Sequence, residues 1–331
     1  MKALLAASLA LAIGGAASAQ QVYSPPRIDG HPDFTGEWSN QWLTPLEATP
    51  ISRTLSVPPA QAKALVGLIR AAAKSLGEAG LDPEAVDPDS SSLAIVRGEH
   101  RTRLVVDPAD GLLPYTPEAQ KQVQAEQALF RRQVQGQEAD NPEQRISWER
   151  CIQAMGQAPL LFTWGIAMNR RLVQTPDNLV IWSEAGSETR VVRIGGKPLP
   201  AGVRSYLGDS IGRWEGDTLV VETTGFKPED QFRLSIVGRP VMVAPDSKVV
   251  ERFTRLSAGE LLYQFTVIDP AIYAKPWLAE YSMTASEART YEFGCHEGNY
   301  GLPNILKGAR AADRAKEAAA PAVPSKTKSS K

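Results

Sequence analysis

A chain of 331 residues with 36 Lys and Arg against 37 Asp and Glu carries a net charge of −1. That balance excludes the basic footprint of a nucleic-acid binder. Hydrophobic residues make up 43% of the chain, as in an ordinary globular protein with one large domain or two small ones. The three histidines, His31, His100 and His296, lie far apart, so no helix carries two metal ligands at i, i+4 spacing, and no dinucleotide fingerprint occurs. Neither a metal nor a cofactor is expected.

Met1-Lys2, the apolar run from Ala3 to Ile13 and the small triplet Ala17-Ser18-Ala19 form the pattern of a secretory signal peptide over residues 1–19, cleaved after Ala19. The run is shorter than the roughly 20 residues that cross a bilayer, and no later stretch replaces it. The mature chain is expected to be exported, most simply to a periplasm, with no transmembrane segment. In an oxidising compartment the two cysteines, Cys151 and Cys295, are expected to form a disulfide.

Residues 20–150 read as an N-terminal region with a first strand and two helices. Pro58-Pro59 introduces the first helix, in which Ala62, Leu65, Ile69 and Ala72 recur at helical spacing. The second starts at the hydroxyl cap Thr116 with Pro117 in its first turn and runs to about Val134. From 151 to 310 the texture changes to β-rich runs separated by turn signals: Leu160–Trp164, Leu179–Ser183, Arg190–Ile194, Thr218–Thr223, Lys248–Arg255, Leu261–Ile268 and Leu278–Met283. In one of them Leu261, Tyr263, Phe265 and Val267 face one way while Leu262, Gln264 and Thr266 face the other. The expected fold is mainly β, an antiparallel meander closed into a barrel to remove exposed edges, with a partly helical N-terminal region. A short helix is expected after Pro303 with Gly308 as its C-cap, and residues 311–331 read as a disordered tail.

The strings Pro32–Trp38, Tyr115–Glu118, Val173–Val180, Asp269–Trp277, Cys295–Arg310 and above all Gly208-Asp209-Ser210-Ile211-Gly212-Arg213-Trp214-Glu215-Gly216-Asp217-Thr218-Leu219-Val220-Val221-Glu222-Thr223 resemble an uncharacterised family of secreted bacterial proteins. The resemblance implies secretion and a shared fold, and no particular chemistry. Gly36-Glu37-Trp38 resembles the Gly-x-Trp of the first strand of lipocalin-like barrels, which implies a ligand carrier or an enzyme acting on apolar small molecules.

The densest reactive chemistry is Gly294-Cys295-His296-Glu297-Gly298-Asn299-Tyr300-Gly301. His296 titrates near neutrality and is the candidate general acid or base, with Asp209, Glu297 and Tyr300 as its catalytic companions. Arg213, Asn299, Tyr206 and Ser210 are candidate substrate-binding residues. Adjacent residues of an extended strand point to opposite faces, which disfavours a Cys295–His296 nucleophile pair. Gly208-Asp209-Ser210 lacks the downstream Asp-x-x-His of the esterases that carry such a triplet. Two functions follow. The first is an exported enzyme acting on a small organic molecule by cofactor-independent acid–base chemistry, as lyase, isomerase or hydrolase. The second is a periplasmic small-molecule carrier.

Overall fold

The computed structural model describes residues 23–78, 92–147, 149–152, 156–161, 169–200, 202–228, 231–233 and 241–319; residues 1–19, expected to be a signal peptide, lie outside them. Its body is a closed barrel of nine strands: β1 (Gly36–Ser39), β2 (Asn169–Gln174), β3 (Asn178–Ser183), β4 (Glu188–Ile194), β5 (Asp209–Glu215), β6 (Thr218–Thr224), β7 (Lys248–Arg255), β8 (Glu260–Ile268) and β9 (Trp277–Ala285). Each strand pairs with the next in the chain, and β9 returns to β1 through Thr284↔Ser39 and Ala285↔Trp38. The remaining length of that edge of β9 pairs with Val105–Asp107.

One junction departs from the expected antiparallel meander: β4 and β5 run parallel, with Val192 opposite Ser210. The reason is parity. Strands that alternate direction all the way round a ring must be even in number, so a ring of nine needs an odd number of parallel junctions. The 195–208 crossover supplies it and is held by Asp209, which accepts from Arg193 Nη2 (2.6 Å) and from the Leu199 amide (2.9 Å). Gly208 enters the strand at φ +73°, where an added Cβ would lie 2.7 Å from Thr223 Cγ2 and 2.9 Å from Phe226 Cε1. Next comes the β5–β6 hairpin, turned by Gly216-Asp217 between Glu215 and Thr218. The long string that carries the family resemblance is therefore a crossover landing followed by a hairpin.

Alternation along the strands sends Leu172, Leu179, Ile181, Leu219, Phe253 and Phe265 inward, all fully buried. One barrel end is closed by the segment before β1. Phe34 is fully buried against Trp214 and Phe253, its amide donates to Gln174 Oε1 (3.0 Å), and Gln174 Nε2 donates to Pro32 O (3.0 Å). Both N-terminal helices form as expected, α1 over Pro59–Glu78 and α2 over Pro117–Val134, the latter with Thr116 accepting from the Ala119 amide. Ala62 and Leu65 of α1 join Leu43, Val57 and Leu93 in a small second core.

The C-terminal segment differs from expectation. After a single turn, α3 (Cys295–Gly298), helix α4 runs from Gly301 to Ala319. It passes Gly308 and continues through a stretch expected to be disordered. Ala311, Ala312, Ala315 and Ala318 have the highest helix propensity of any residue, enough to offset one interior glycine. Residues 320–331 lie outside the described residues.

Phe34→Ala is expected to lower the unfolding free energy by about 3–5 kcal/mol. Ile51→Ala, at a position 61% exposed, should change it by less than about 0.5 kcal/mol. Urea denaturation of the two variants checks both.

Candidate functional site

Midway along the barrel the apolar lining gives way to a layer of charge. Glu251 of β7 is fully buried, as is Arg190 of β4 to within 2%. They meet in a bidentate pair, Nη1 to Oε2 at 2.5 Å and Nη2 to Oε1 at 2.7 Å. Tyr263 of β8 donates to the same carboxylate (2.7 Å). Ser210 and Thr223 hydroxyls, 2.9 Å apart, lie 3.4 Å from Arg190 Nη1. Arg170 of β2 and Tyr281 of β9 are also fully buried in this layer.

The electrostatics follow from enclosure. Burial works against the Arg190 charge, and attraction and hydrogen bonds from Glu251 more than offset it, so its pKa is raised. At Arg170 burial wins and the pKa is lowered. Burial also holds the phenols of Tyr263 and Tyr281 well above their ordinary value, so both remain neutral hydrogen-bond donors.

A short piece of the protein's own chain fills the barrel beside these groups. Gly156 to Leu161 is buried throughout. The Leu160 amide donates to Tyr263 Oη (2.9 Å), and Tyr281 Oη donates to Leu160 O (2.7 Å). The Gly156 amide donates to Glu188 Oε2 (2.6 Å). A Cβ at Gly156 would lie 2.8 Å from Glu188 Cβ, so only glycine lets the backbone come this close. Two tyrosines thus bracket one residue, one on the N–H of Leu160 and one on its carbonyl, in two successive peptide groups. The expected strand Leu160–Trp164 begins here, but Leu160 serves as this filling instead, and residues 162–164 lie outside the described residues.

The residues singled out from sequence occupy three places. Ser210 points into the polar layer. Arg213, on the opposite face of the same strand, lies outside the barrel in a ladder with Glu222 (2.6 Å) and Glu215 (3.1 Å), continued by Lys248 and Arg252. Hydrogen bonds to Arg252 and Arg213 lower the Glu215 and Glu222 pKa values, and the bond to Glu222 raises that of Arg213; exposed pairs of this kind contribute little to stability. Asp209 clasps the crossover, and Tyr206 is half-buried beneath Lys227 Nζ at 4.7 Å from its ring. His296, Glu297, Asn299 and Tyr300 sit together on and just after α3, outside the barrel, with His296, Glu297 and Tyr300 exposed.

Cys151 and Cys295 form a disulfide across a sequence separation of 144, a span for which loop-closure entropy contributes up to about 5 kcal/mol. Asn299 Nδ2 ties the same turn to Glu149 O (2.8 Å). An open cleft of about 390 Å³ lies against it, lined by Glu149, Phe293, Gly294, Cys295, Gly298, Asn299 and Gly301. Among the described residues no group of three or more His, Cys, Asp or Glu is placed to hold a metal ion.

Sequence reasoning missed Arg170, Arg190, Glu251, Tyr263 and Tyr281 as a group. A signal was present: Glu251 stands between Val249 and Phe253, and Arg190 two residues before Val192, at inward positions of recognisable strands. No protein-family model, curated protein or solved structure matches the chain.

Two measurements probe the layer. Glu251→Leu strands the Arg190 charge in the barrel and is expected to cost about 3–5 kcal/mol of stability. Adding Arg190→Met should return most of that loss, which chemical denaturation of both variants checks. Burial raises the pKa values of Tyr263 and Tyr281 above the ordinary 10.0, and likewise that of Tyr273, which is buried outside the layer and donates to Met242 O. As pH rises the unfolded chain therefore releases these protons first, so their contribution is full below pH 10 and is lost above it. Ultraviolet titration should show three tyrosines ionising only as the protein unfolds.

Proposed function

We propose that the protein is an exported enzyme that acts on a small organic carbonyl or amide compound by cofactor-independent acid–base chemistry, in the polar layer of the barrel. One observation carries the reading: Tyr263 accepts from the N–H of Leu160 and Tyr281 donates to its carbonyl, in front of a buried Arg190–Glu251 pair. An ion pair in this position is at best neutral for stability compared with apolar packing, and ionisable groups perturbed by burial cluster at functional sites. The substrate takes the place of Leu160, so residues 156–161 withdraw when it enters.

In that pose Tyr281 donates a hydrogen bond to the substrate carbonyl oxygen and stabilises charge that develops there. Tyr263 takes a proton from the substrate as it passes its own to Glu251, and Arg190 holds the carboxylate in line. Export is supported by the signal-peptide pattern and by the disulfide; among the described residues no helix is long and apolar enough to cross a membrane. The closed barrel with Gly36-Glu37-Trp38 on β1 supports the lipocalin-like resemblance, although eight antiparallel strands are usual there and this ring has nine with a parallel junction.

A second reading keeps His296 as the acid–base group, supported by the open cleft beside its turn. A carrier that binds without chemistry is the third. Thermal-shift screening of a metabolite library, with mass spectrometry of each stabilising compound, tests all three. The expected result is a carbonyl-bearing compound that is chemically altered, with turnover reduced at least about a hundredfold by Tyr281→Phe and unchanged by His296→Ala. Loss of turnover on His296→Ala alone would move the site to the cleft, and a compound recovered unaltered would make the protein a carrier.

A further inference from the structure

Gly156 follows Cys151 by five residues, so the disulfide stands at the root of the segment that fills the polar layer. Its other half, Cys295, belongs to a stretch with separate fastenings to the barrel. Thr290 Oγ1 donates to Glu37 of β1, and the Tyr291 and Phe293 amides donate to Glu184 Oε1 (3.0 Å) and Ser187 Oγ (2.9 Å) in the β3–β4 connection. Opening the disulfide would therefore leave Cys295 in place and free the Cys151 side of its covalent tie.

The surroundings of the bond distinguish its two sulfurs. Both cysteines are half-buried, and the open cleft of about 390 Å³ reaches the bond from the side of Cys295, which lines it. The carboxylate of that cleft, Glu149, is already paired with Arg145 (2.8 Å), which reduces its repulsion of an incoming anion. On the other side Asn299 Nδ2 donates to Cys151 Sγ (3.4 Å). In thiol–disulfide exchange a thiolate attacks one sulfur and the other departs as a thiolate, faster when the departing charge is stabilised. The cleft admits attack at Cys295, and the Asn299 amide stabilises the charge that forms on Cys151.

We propose that Cys151–Cys295 is an exchange site for an external dithiol, and that its reduction loosens the Gly156–Leu161 filling of the barrel. One thiolate of the dithiol attacks Cys295 Sγ through the cleft; the S–S bond breaks and Cys151 leaves as a thiolate. The second thiolate of the reductant then attacks its own sulfur in the mixed disulfide and releases Cys295. Two electrons pass to the protein, the two protons given up by the dithiol are matched by the two that the cysteines take, and the reductant leaves as a disulfide. The exchange takes place outside the barrel and stands whether or not the polar layer is catalytic.

The test starts from the full-length, oxidised protein, incubated with glutathione, quenched with N-ethylmaleimide and mapped by mass spectrometry. The early product is expected to carry glutathione on Cys295 and maleimide on Cys151, in about tenfold excess over the reverse. Dithiothreitol should complete the reduction without denaturant. Hydrogen exchange over residues 156–161 should then rise about tenfold while β7 and β8 keep their protection. Asn299→Asp keeps the oxygen that accepts from the Leu302 amide (3.3 Å) and removes the donor to Cys151. It should slow the first step about tenfold and move the adduct toward Cys151, with the circular dichroism of the parent. Reduction that requires denaturant would overturn the proposal, as would glutathione on Cys151 or equally on both cysteines. Unchanged exchange over residues 156–161 after reduction would overturn it too. An unchanged rate and adduct in folded Asn299→Asp would overturn the role of Asn299; if that variant does not fold, the adduct on the parent sequence decides.

Discussion

Glu251 is the point at which four parts of the barrel are tied together. Its carboxylate takes two hydrogen bonds from Arg190 across the ring and one from Tyr263 on the neighbouring strand. Thr223 approaches at 3.4 Å, and Tyr263 in turn receives the Leu160 amide. Strands β4, β6, β7 and β8 and the filling segment therefore share one anionic centre. An apolar layer would hold the same strands together without demanding a particular alignment. The bidentate geometry adds that demand: a one-residue slip of any of these strands would turn its partner of Glu251 out of the barrel and leave a charge buried alone.

The interior has to be filled as well as aligned. A nine-stranded ring is wider than the eight-stranded barrels that side chains alone just fill, and here the extra space takes a backbone. Gly156–Leu161 brings its own amides and carbonyls inside, where each needs a partner. Tyr263, Tyr281 and Glu188 provide three of those partners, for the Leu160 amide, the Leu160 carbonyl and the Gly156 amide. The polar layer and the inserted segment are thus two answers to one geometric condition, and neither would be well solvated without the other.

What could be read from sequence follows the same division. Helices α1 and α2 were legible because their caps, prolines and apolar spacing are local signals. Strands β7 and β8 were legible because their inward residues are mostly apolar. Strand β2 went unread because its inward residues are Arg170, Leu172 and Gln174, which break apolar alternation, and β5 because its inward residues are Ser210, Gly212 and Trp214. The two unread strands have mostly polar or small inward residues, whereas β7 and β8 each bring one polar group of the layer within an otherwise apolar inward row. The Cys295–Tyr300 segment drew attention because its chemistry is contiguous. The buried layer is assembled from seven strands, and only the register of the sheet brings it together.

Ring closure also has a cost in time. Trp42 donates to the Ser282 carbonyl across 240 residues, and Thr290 bonds to Glu37 across 253. The first strand of the barrel thus has its second neighbour only when nearly the whole chain is in hand. Contacts of such sequence separation form slowly. Until β9 arrives, β1 and β8 each offer an unpaired edge. A chain that crosses a membrane N-terminus first would spend that interval with its opening strand already delivered and its closing strand still behind. The topology makes this barrel a fold that is completed only when its last strand is available.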